Sequence, residues 1–365
     1  MIPALRLLLL LFPAVAWAQA APDIEAYGRL VAAEAAANAQ PGPRTAPAKL
    51  IPVPTTDVSP QDQVLISAPL SPIMDANPKS AAEWKTLIAA RAELAAQLAS
   101  RLADKLRVSV QPVTIAGVKA FELRPADLPD GNRVRLLLHL HGGGYVFGPG
   151  QAALPEAILM AGLGRFRVVS VDYRMPPDFP YPAAMDDAMA VYRELLKTND
   201  PYHMAVFGTS TGGGMTLALM LRARAEGVAL PAAIAPGTPW SDLTEAGDSY
   251  QVNEWVDNVL VTWKGWLGRA ANLYAAGHDL KDPQLSPIYG DFRHLPPAIL
   301  TTGTRDLFLS NTVRTHRALR RAGVEADLNV YEGQSHAQYL GDADAPETKE
   351  AIGDIAAFFD RHLAK

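Results

Sequence analysis

The pattern of hydrophobic and polar positions changes its period once along the chain. After Ser80, apolar residues recur at steps of three and four, which predicts one long amphipathic helix. Its apolar positions are Trp84, Leu87, Ile88, Leu94, Leu98, Leu102 and Leu106. Beyond this helix come short apolar or alternating runs rich in Val, Leu and Ile, which are typical of strands. These runs cover residues 118–125, 134–140, 167–173, 203–208, 232–236, 297–303 and 325–333.

Helical patterns alternate with the later strands. They cover residues 183–197, 213–226, 311–322 and 346–362. Strands that alternate with helices of this length predict βαβ units, so we expect an α/β fold with a mostly parallel sheet and helices on both faces. No strand pattern occurs between Trp240 and Leu285, and four of the six tryptophans lie there (Trp240, Trp255, Trp263 and Trp266). We interpret this stretch as a helical insertion outside the sheet.

The first twenty residues have the layout of a secretory signal peptide. Arg6 precedes an apolar stretch from Leu7 to about Val15, and small residues flank Gln19. We expect cleavage after Ala20 and therefore a periplasmic or secreted protein. The alternative is a buried first helix or an uncleaved anchor, although the apolar run is too short to span a bilayer. The segment that follows, to Asn77, is rich in Ala and Pro and carries one helical pattern over 24–39.

Composition limits the classes of partner and cofactor. The 365 residues are 49% hydrophobic and 19% charged, with a net charge of -5 and no cysteine. Without a Lys/Arg-rich run, the sequence gives no signal for binding nucleic acid or an anionic membrane. It has no cysteine and no H-E-x-x-H pair for zinc, and Phe147 interrupts the one candidate G-x-G-x-x-G. We expect no cofactor, no metal and a small-molecule partner, and the sequence leaves a homodimer open.

The strongest chemical motif lies at residues 208–212. There the sequence Gly-Thr-Ser-Thr-Gly fits G-x-S-x-G, directly after a predicted strand and before a predicted helix. In this context the pattern predicts a nucleophile elbow that exposes Ser210 at a helix N-terminus. The alternative is an ordinary glycine-rich turn. A rival serine, Ser335, lacks both the second glycine and a following helix, so Ser210 is the stronger candidate.

A serine nucleophile needs a base, and the base needs a group that orients it. In this architecture the expected chain order is Ser, then Asp or Glu, then His, with the last two at the ends of later strands. Asp306 and His336 follow two such strands, so we predict them as orienting acid and base. Asp172 precedes the serine, and the other seven histidines lie in less suitable places.

Three glycines, Gly142 to Gly144, follow a strand and His141. Glycine has no side chain, so a substrate can approach its backbone closely. An acyl-transfer reaction needs unpaired backbone N–H donors close to the carbonyl oxygen that becomes negative. The N–H group after the nucleophile, that of Thr211, is expected to donate to the same oxygen. We therefore interpret this run as an oxyanion loop rather than a phosphate-binding loop.

With these motifs, the sequence resembles the hormone-sensitive-lipase-like esterases of the α/β-hydrolase superfamily, often called bacterial family IV. The similarity runs from about Val118 to the C-terminus and includes the segments 172–188 and 285–297. The resemblance implies a Ser210, Asp306, His336 triad, with Gly143, Gly144 and Thr211 as oxyanion donors. The elbow reads GTSTGG where many members have GDSAGG, so the chain looks closer to the GTSAG-type subgroup.

The resemblance also implies a cap over an α/β-hydrolase core. The predicted organisation is a signal peptide over 1–20, an N-terminal cap segment over 21–107, a first core part over 108–240, a cap insertion over 241–284 and a second core part over 285–365. Aromatic residues of the oxyanion loop and the insertion are candidates for the substrate pocket, although aromatic clusters often serve only as core. The candidates are Tyr145, Phe147 and Trp255.

We conclude from the sequence that the protein is a serine carboxylesterase for esters with short to medium acyl chains. It would have no stable membrane anchor after signal cleavage. A sugar-ester deacetylase or a lipase with the same triad is the first alternative. A non-catalytic small-molecule receptor on the same scaffold is the second, because a fold alone does not fix function.

Overall fold

A computed structural model describes residues 50–364 of the chain, together with positions 29, 32 and 48. The predicted signal peptide lies outside the described residues, as does the predicted helix over 24–39 apart from Arg29 and Ala32. Contacts divide the chain into residues 1–50 and 51–365. Residues 51–365 contain the sheet and the helices that cover it.

One eight-stranded sheet forms the centre of this unit. Its strands are β1 (Val108–Ile115), β2 (Val118–Pro125), β3 (Leu136–Leu140), β4 (Arg167–Val171), β5 (Met204–Thr209), β6 (Ala233–Gly237), β7 (Ala298–Gly303) and β8 (Ala326–Tyr331). Their order in the sheet is β1-β2-β4-β3-β5-β6-β7-β8. The strands β1 and β2 join the sheet antiparallel, and all other pairings are parallel.

The α-helices of the unit precede the sheet, connect its strands or follow it. They are α1 (Pro60–Ser67), α2 (Ala81–Leu106), α3 (Pro155–Gly162), α4 (Ala183–Leu195), α5 (Thr211–Ala225), α6 (Ser249–Val252), α7 (Trp266–Ala275), α8 (Leu309–Arg321) and α9 (Pro346–His362). None of the helices in the described part is long and apolar enough to cross a membrane.

The sheet is buried on both faces, as its apolar central strands require. Adjacent residues of β3 point into different halves of the core: Leu138 packs with residues of α4, α5 and α7, whereas Leu137 packs with residues of α3 and α9. Helices therefore cover both faces, and the predicted α/β class is confirmed. Because β5, β7 and β8 run parallel, their carboxyl ends reach the same edge of the sheet, where Ser210, Asp306 and His336 follow them.

Three elements, α1, β1 and α3, were not predicted from the sequence. The edge strand β1 contains Pro112, which weakens a strand pattern. The helix α3 is short and buried over most of its length, so its sequence carries little amphipathic periodicity. The insertion between β6 and β7 contains two helices, α6 and α7, and no strand.

Candidate active site

The first part of the candidate site is the sharp turn between β5 and α5. Ser210 lies between the two elements with φ 65° and ψ −124°. A non-glycine residue in such a conformation costs on the order of 1–3 kcal/mol and persists only where its surroundings fix it. Here the Ser210 N–H donates to the carbonyl oxygen of Gly237 (2.9 Å), and its own carbonyl accepts from the N–H of Trp240 (2.8 Å). The backbone of the next strand therefore holds the turn.

Gly208 and Gly212 flank this turn because the end of β3 leaves no room for a side chain. A Cβ atom on Gly208 would lie 2.0 Å from the carbonyl oxygen of Leu140, and one on Gly212 would lie 1.9 Å from the same atom. Both distances are far below van der Waals contact. The two glycines of the motif thus allow β3 to pack directly on the turn, and this contact brings the glycine run after β3 next to Ser210.

Asp306 and His336 form a hydrogen-bonded pair beyond the carboxyl ends of β7 and β8. The Nδ1 atom of His336 lies 3.1 Å from Oδ1 of Asp306, and both side chains are buried. The carboxylate also accepts from the N–H of Phe308 (2.7 Å) and from the hydroxyl groups of Thr302 (3.0 Å) and Thr238. With so many donors around it, Asp306 orients the imidazole through its Nδ1–H and leaves Nε2 as the free nitrogen.

Ser210 and His336 line the same cavity, which has a volume of about 310 Å³. The Nε2 atom of His336 is buried and has no hydrogen-bond partner within the described residues. The structure contains no hydrogen bond between Ser210 and His336, and in substrate-free enzymes such bonds are often long. The structure thus pairs Asp306 with His336 and places Ser210 on the same cavity.

The glycine run after β3 forms another part of the cavity wall. Gly143 and Gly144 have φ values of 116° and 65°, a region that favours glycine. Their N–H groups donate to no acceptor in the described part of the chain. Thr211 is the first residue of α5, where N–H groups have no acceptor within the helix. Bare N–H groups beside a serine can bind the oxygen of a reacting carbonyl.

His141 fixes the shape of this loop. Its Nδ1–H donates to the carbonyl oxygen of Gly142 (2.8 Å), and its ring stacks on Tyr173 with a centroid distance of 4.0 Å. The Tyr173 hydroxyl in turn donates to the carbonyl oxygen of His141 (2.7 Å). Complete burial lowers the pKa of His141 to about 3. The imidazole is therefore neutral at physiological pH and acts as a structural support.

Replacing Gly143 by Ala is expected to lower kcat about a hundredfold or more. A Cβ atom there would lie 2.4 Å from the carbonyl oxygen of Phe147, so the loop must shift and move its N–H donors. Loss of one oxyanion donor costs about 10²–10³ in kcat. Gly227→Ala is the matched control, because Gly227 also has a positive φ (66°) but nothing lies within 4 Å of an added Cβ. Equal kcat values in steady-state ester assays of the two variants would contradict an oxyanion role.

Asp257, in the insertion, is a residue of the site that the sequence analysis missed. It is fully buried. Its Oδ1 accepts from two N–H groups of its own segment, at 2.8 and 2.9 Å. Its Oδ2 accepts from the N–H groups of Leu307 (2.8 Å) and His336 (3.3 Å). One carboxylate therefore joins the insertion to the two loops that carry Asp306 and His336.

The ionisation of Asp257 matters for this connection. Burial, and then the nearby Asp306, raise the pKa of Asp257 to about 6, against the opposing effects of His336 and the N–H donors. When the carboxyl group is ionised, both of its oxygens accept from N–H groups. A proton added to it would face an N–H donor and weaken the connection. No motif marks Asp257, because its role exists only once three distant segments have folded together.

Asp257→Asn is expected to lower kcat about 10- to 100-fold while KM changes little. The amide NH2 group would face N–H donors, and a displacement of catalytic groups by about 1 Å can cost on the order of a hundredfold in rate. Asp187→Asn is the matched control, because Asp187 is also a buried carboxylate but pairs with Arg174. Steady-state kinetics and melting temperatures of both variants test this. Unchanged kcat in folded Asp257→Asn would refute the role.

Glu156, on α3, supports the turn from a second side. The N–H and hydroxyl groups of Thr209 donate to its two carboxylate oxygens at 3.0 and 2.7 Å. The Nε2 atom of His139 lies 3.2 Å from the carboxylate, and the Tyr339 hydroxyl lies 2.8 Å from that of Thr209. The threonine before Ser210 thus fixes the turn to α3, and the Glu156 carboxylate is occupied as an acceptor.

The remaining predicted residues lie in different places. Phe147 lines the cavity and packs edge-on against Trp266, an insertion tryptophan that also lines it. Tyr145 is fully buried and stacks on Tyr274, and Trp255 is 55% exposed, so the structure brings neither to this cavity. The rival Ser335 is buried. Within the described residues, no cluster of three or more His, Asp or Glu side chains is placed to hold a metal ion.

Comparisons with known proteins agree with this architecture. A family model described as an alpha/beta hydrolase fold matches residues 137–340. An acetyl-hydrolase of Streptomyces hygroscopicus is 32% identical over 67% of this chain and 81% of its own length. The crystal structure of esterase E25 superposes with a TM-score of 0.83 and 42% identity, covering 89% of this chain and 99% of that chain. An esterase from the bacterial hormone-sensitive lipase family superposes with a TM-score of 0.67 and 28% identity, covering 79% and 94%.

Proposed function

Because the chain belongs to the α/β-hydrolase fold family and is a carboxylic ester hydrolase of the bacterial hormone-sensitive-lipase-like type, we propose that Ser210, His336 and Asp306 are its nucleophile, base and orienting acid. The observation that carries this proposal is the unpartnered Nε2 of His336, which lines the same cavity as Ser210 while Nδ1 is held by Asp306.

In the acylation step, the Ser210 hydroxyl attacks the ester carbonyl carbon while Nε2 of His336 accepts its proton. The carbonyl oxygen becomes an oxyanion and receives hydrogen bonds from the N–H groups of Gly143, Gly144 and Thr211. His336 then returns the proton to the departing alcohol as the C–O bond breaks, which leaves an acyl-enzyme.

In the deacylation step, water attacks the acyl carbon and gives a proton to His336. Collapse of the second tetrahedral intermediate releases the carboxylic acid and restores the Ser210 hydroxyl. Asp306 keeps its charge throughout and stabilises the imidazolium that forms in each step. This role agrees with its burial and its set of neutral donors.

The preferred substrates in this proposal are esters with short to medium acyl chains. The cavity of about 310 Å³ is at the small end for ligand pockets, and Trp266 and Phe147 narrow it with aromatic rings. The similarity to a protein named an acetyl-hydrolase also favours a small acyl group. The GTSTG elbow supports assignment to the GTSAG-type subgroup.

The proposal includes export. The first twenty residues favour cleavage after Ala20 and a periplasmic or secreted enzyme. N-terminal sequencing of the mature protein from the native host tests this directly. A mature chain that begins at Ala21 would support export, and a chain that retains Met1 would refute cleavage.

A panel of ethyl and 4-nitrophenyl esters from acetate to decanoate tests the proposed activity and chain length together. We expect kcat/KM to be highest for acetate to hexanoate and to fall for longer chains. Acetylated sugars and emulsified triglycerides, assayed beside them, distinguish a deacetylase or a lipase. Higher kcat/KM on either of these than on simple esters would overturn the proposed substrate class.

A further inference from the structure

The cavity beside Ser210 is also lined by a cation, Arg91, from the middle of α2. The guanidinium carbon lies 5.0 Å from the centroid of the Phe147 ring, which is within the range of a cation–π contact. Phe147 in turn donates its N–H to the carbonyl oxygen of Gly143 (2.8 Å). Arg91 therefore rests against the loop that would bind the carbonyl of the substrate.

Arg91 has no carboxylate partner within the described part of the chain. Three less exposed arginines do have one: Arg135, Arg222 and Arg314 form ion pairs with aspartates at 2.5–2.8 Å. The side chain is exposed, although desolvation by its neighbours lowers the pKa of Arg91, and an arginine keeps its charge at physiological pH. The cavity thus contains a positive charge that no protein carboxylate neutralises by direct contact.

Glu156, the acidic residue of the cavity wall, does not form an ion pair with Arg91. Glu156 lines the same cavity, but its oxygens already accept from Thr209 and face His139. Glu156 is the one acidic residue that lines this cavity. Among the lining residues, Arg91 is therefore the one arginine or lysine that an anion entering the cavity would meet.

A second cavity, of about 380 Å³, adjoins the first. The two share Arg91, Gly143 and Phe147 as lining residues, and the second is also lined by Leu94 and Leu98 of α2. Arg91 therefore stands where the two cavities meet, beside the path that part of an ester bound at Ser210 would follow. A planar guanidinium at such a place suits a carboxylate, which it can bind through two parallel hydrogen bonds.

We propose that Arg91 binds an anionic group, most favourably a carboxylate, on the acyl or alcohol part of the substrate, so that the enzyme selects esters that carry a negative charge. This inference rests on the proposed function, because it assumes that the ester carbonyl lies at Ser210. It assigns Arg91 to substrate recognition and gives it no part in the bond-breaking steps.

Matched neutral and anionic esters test the proposal. Monoethyl glutarate and ethyl pentanoate differ chiefly in a terminal carboxylate, and 4-acetoxybutyrate and butyl acetate place the same difference on the alcohol side. Rates are measured with a pH-stat for the wild-type protein and for Arg91→Gln. We expect Arg91→Gln to lower kcat/KM about tenfold for at least one of the anionic esters and less than about twofold for their neutral partners.

Two further variants make the test selective. Arg101→Gln removes an exposed arginine from the same helix. It is expected to leave the ratio of kcat/KM for the anionic ester to that for its neutral partner unchanged in both ester pairs. Arg91→Glu is expected to lower the anionic rates further than Arg91→Gln. In the wild-type protein, added salt should reduce the preference for the anionic ester, because Arg91 is exposed to solvent.

The outcomes separate the two proposals. Equal losses on neutral and anionic esters, or no loss on either, would overturn the role of Arg91 while leaving the esterase activity intact. Failure of the wild-type protein to hydrolyse any of the four esters would instead overturn the proposed function.

Discussion

Ser210→Ala is expected to lower kcat/KM for a simple ester about ten-thousandfold or more. The alanine removes the hydroxyl that would form the acyl-enzyme. Ser71 also lines the cavity, but it lies outside the strained strand-to-helix turn that holds Ser210. Removing the nucleophile of a triad abolishes covalent catalysis and leaves only the small contribution of the oxyanion donors and substrate binding. The measurement is the initial rate of ester hydrolysis at saturating and at low substrate concentrations.

Ser335→Ala serves as the control for this variant. Ser335 lies in the rival G-x-S-x-A pattern, is buried, and accepts a hydrogen bond from the N–H of Asn258 (3.1 Å). We expect its loss to leave kcat/KM within about tenfold of the wild-type value, since it costs one buried hydrogen bond. If Ser335→Ala lost activity as severely as Ser210→Ala and both variants remained folded, the choice of Ser210 would be unsupported.

Asp306→Asn is expected to lower kcat about ten-thousandfold with little change in KM. An asparagine amide cannot accept from all the donors that surround this side chain, and it favours the tautomer of His336 that has its proton on Nε2. That tautomer cannot take the proton of Ser210. The equivalent change in a serine protease triad lowers kcat by about this factor. The expected loss of kcat is taken from that case.

Asp242→Asn is the matched control for Asp306→Asn. Asp242 is equally buried and accepts hydrogen bonds from Thr244 (2.6 and 3.0 Å), Tyr289 (3.0 Å) and Arg314 (2.8 Å). It makes no hydrogen bond with a proposed triad residue, so we expect lower thermal stability without a comparable loss of kcat. A similar fall of kcat in both variants would indicate that the loss of any buried carboxylate damages the site.

The sequence identifies the fold class because the strand and helix periods agree with the positions of the chemical motifs. Strand and helix periods alternate from Val118 onward, and the residues with the clearest chemistry follow the ends of β5, β7 and β8. Parallel strands bring these ends to one edge, so chain order alone predicts that Asp306 and His336 approach each other. The structure places them 3.1 Å apart.

Other parts of the site could not be predicted because they depend on contacts between distant segments. Asp257 lies in an insertion without a regular pattern, and its partners Leu307 and His336 lie 50 and 79 residues away along the chain. The position of Arg91 likewise depends on how α2 packs on the glycine run after β3. Sequence alone also could not distinguish Trp266, which lines the cavity, from Trp255, which lies on the surface.

The most direct test of the central claim is the site of covalent modification by a serine-reactive organophosphate. The wild-type protein is incubated with diethyl 4-nitrophenyl phosphate, digested and analysed by tandem mass spectrometry. We predict a single diethylphosphoryl adduct on Ser210, formed in step with the loss of esterase activity. An adduct on another residue, or complete inactivation with Ser210 unmodified, would contradict the account.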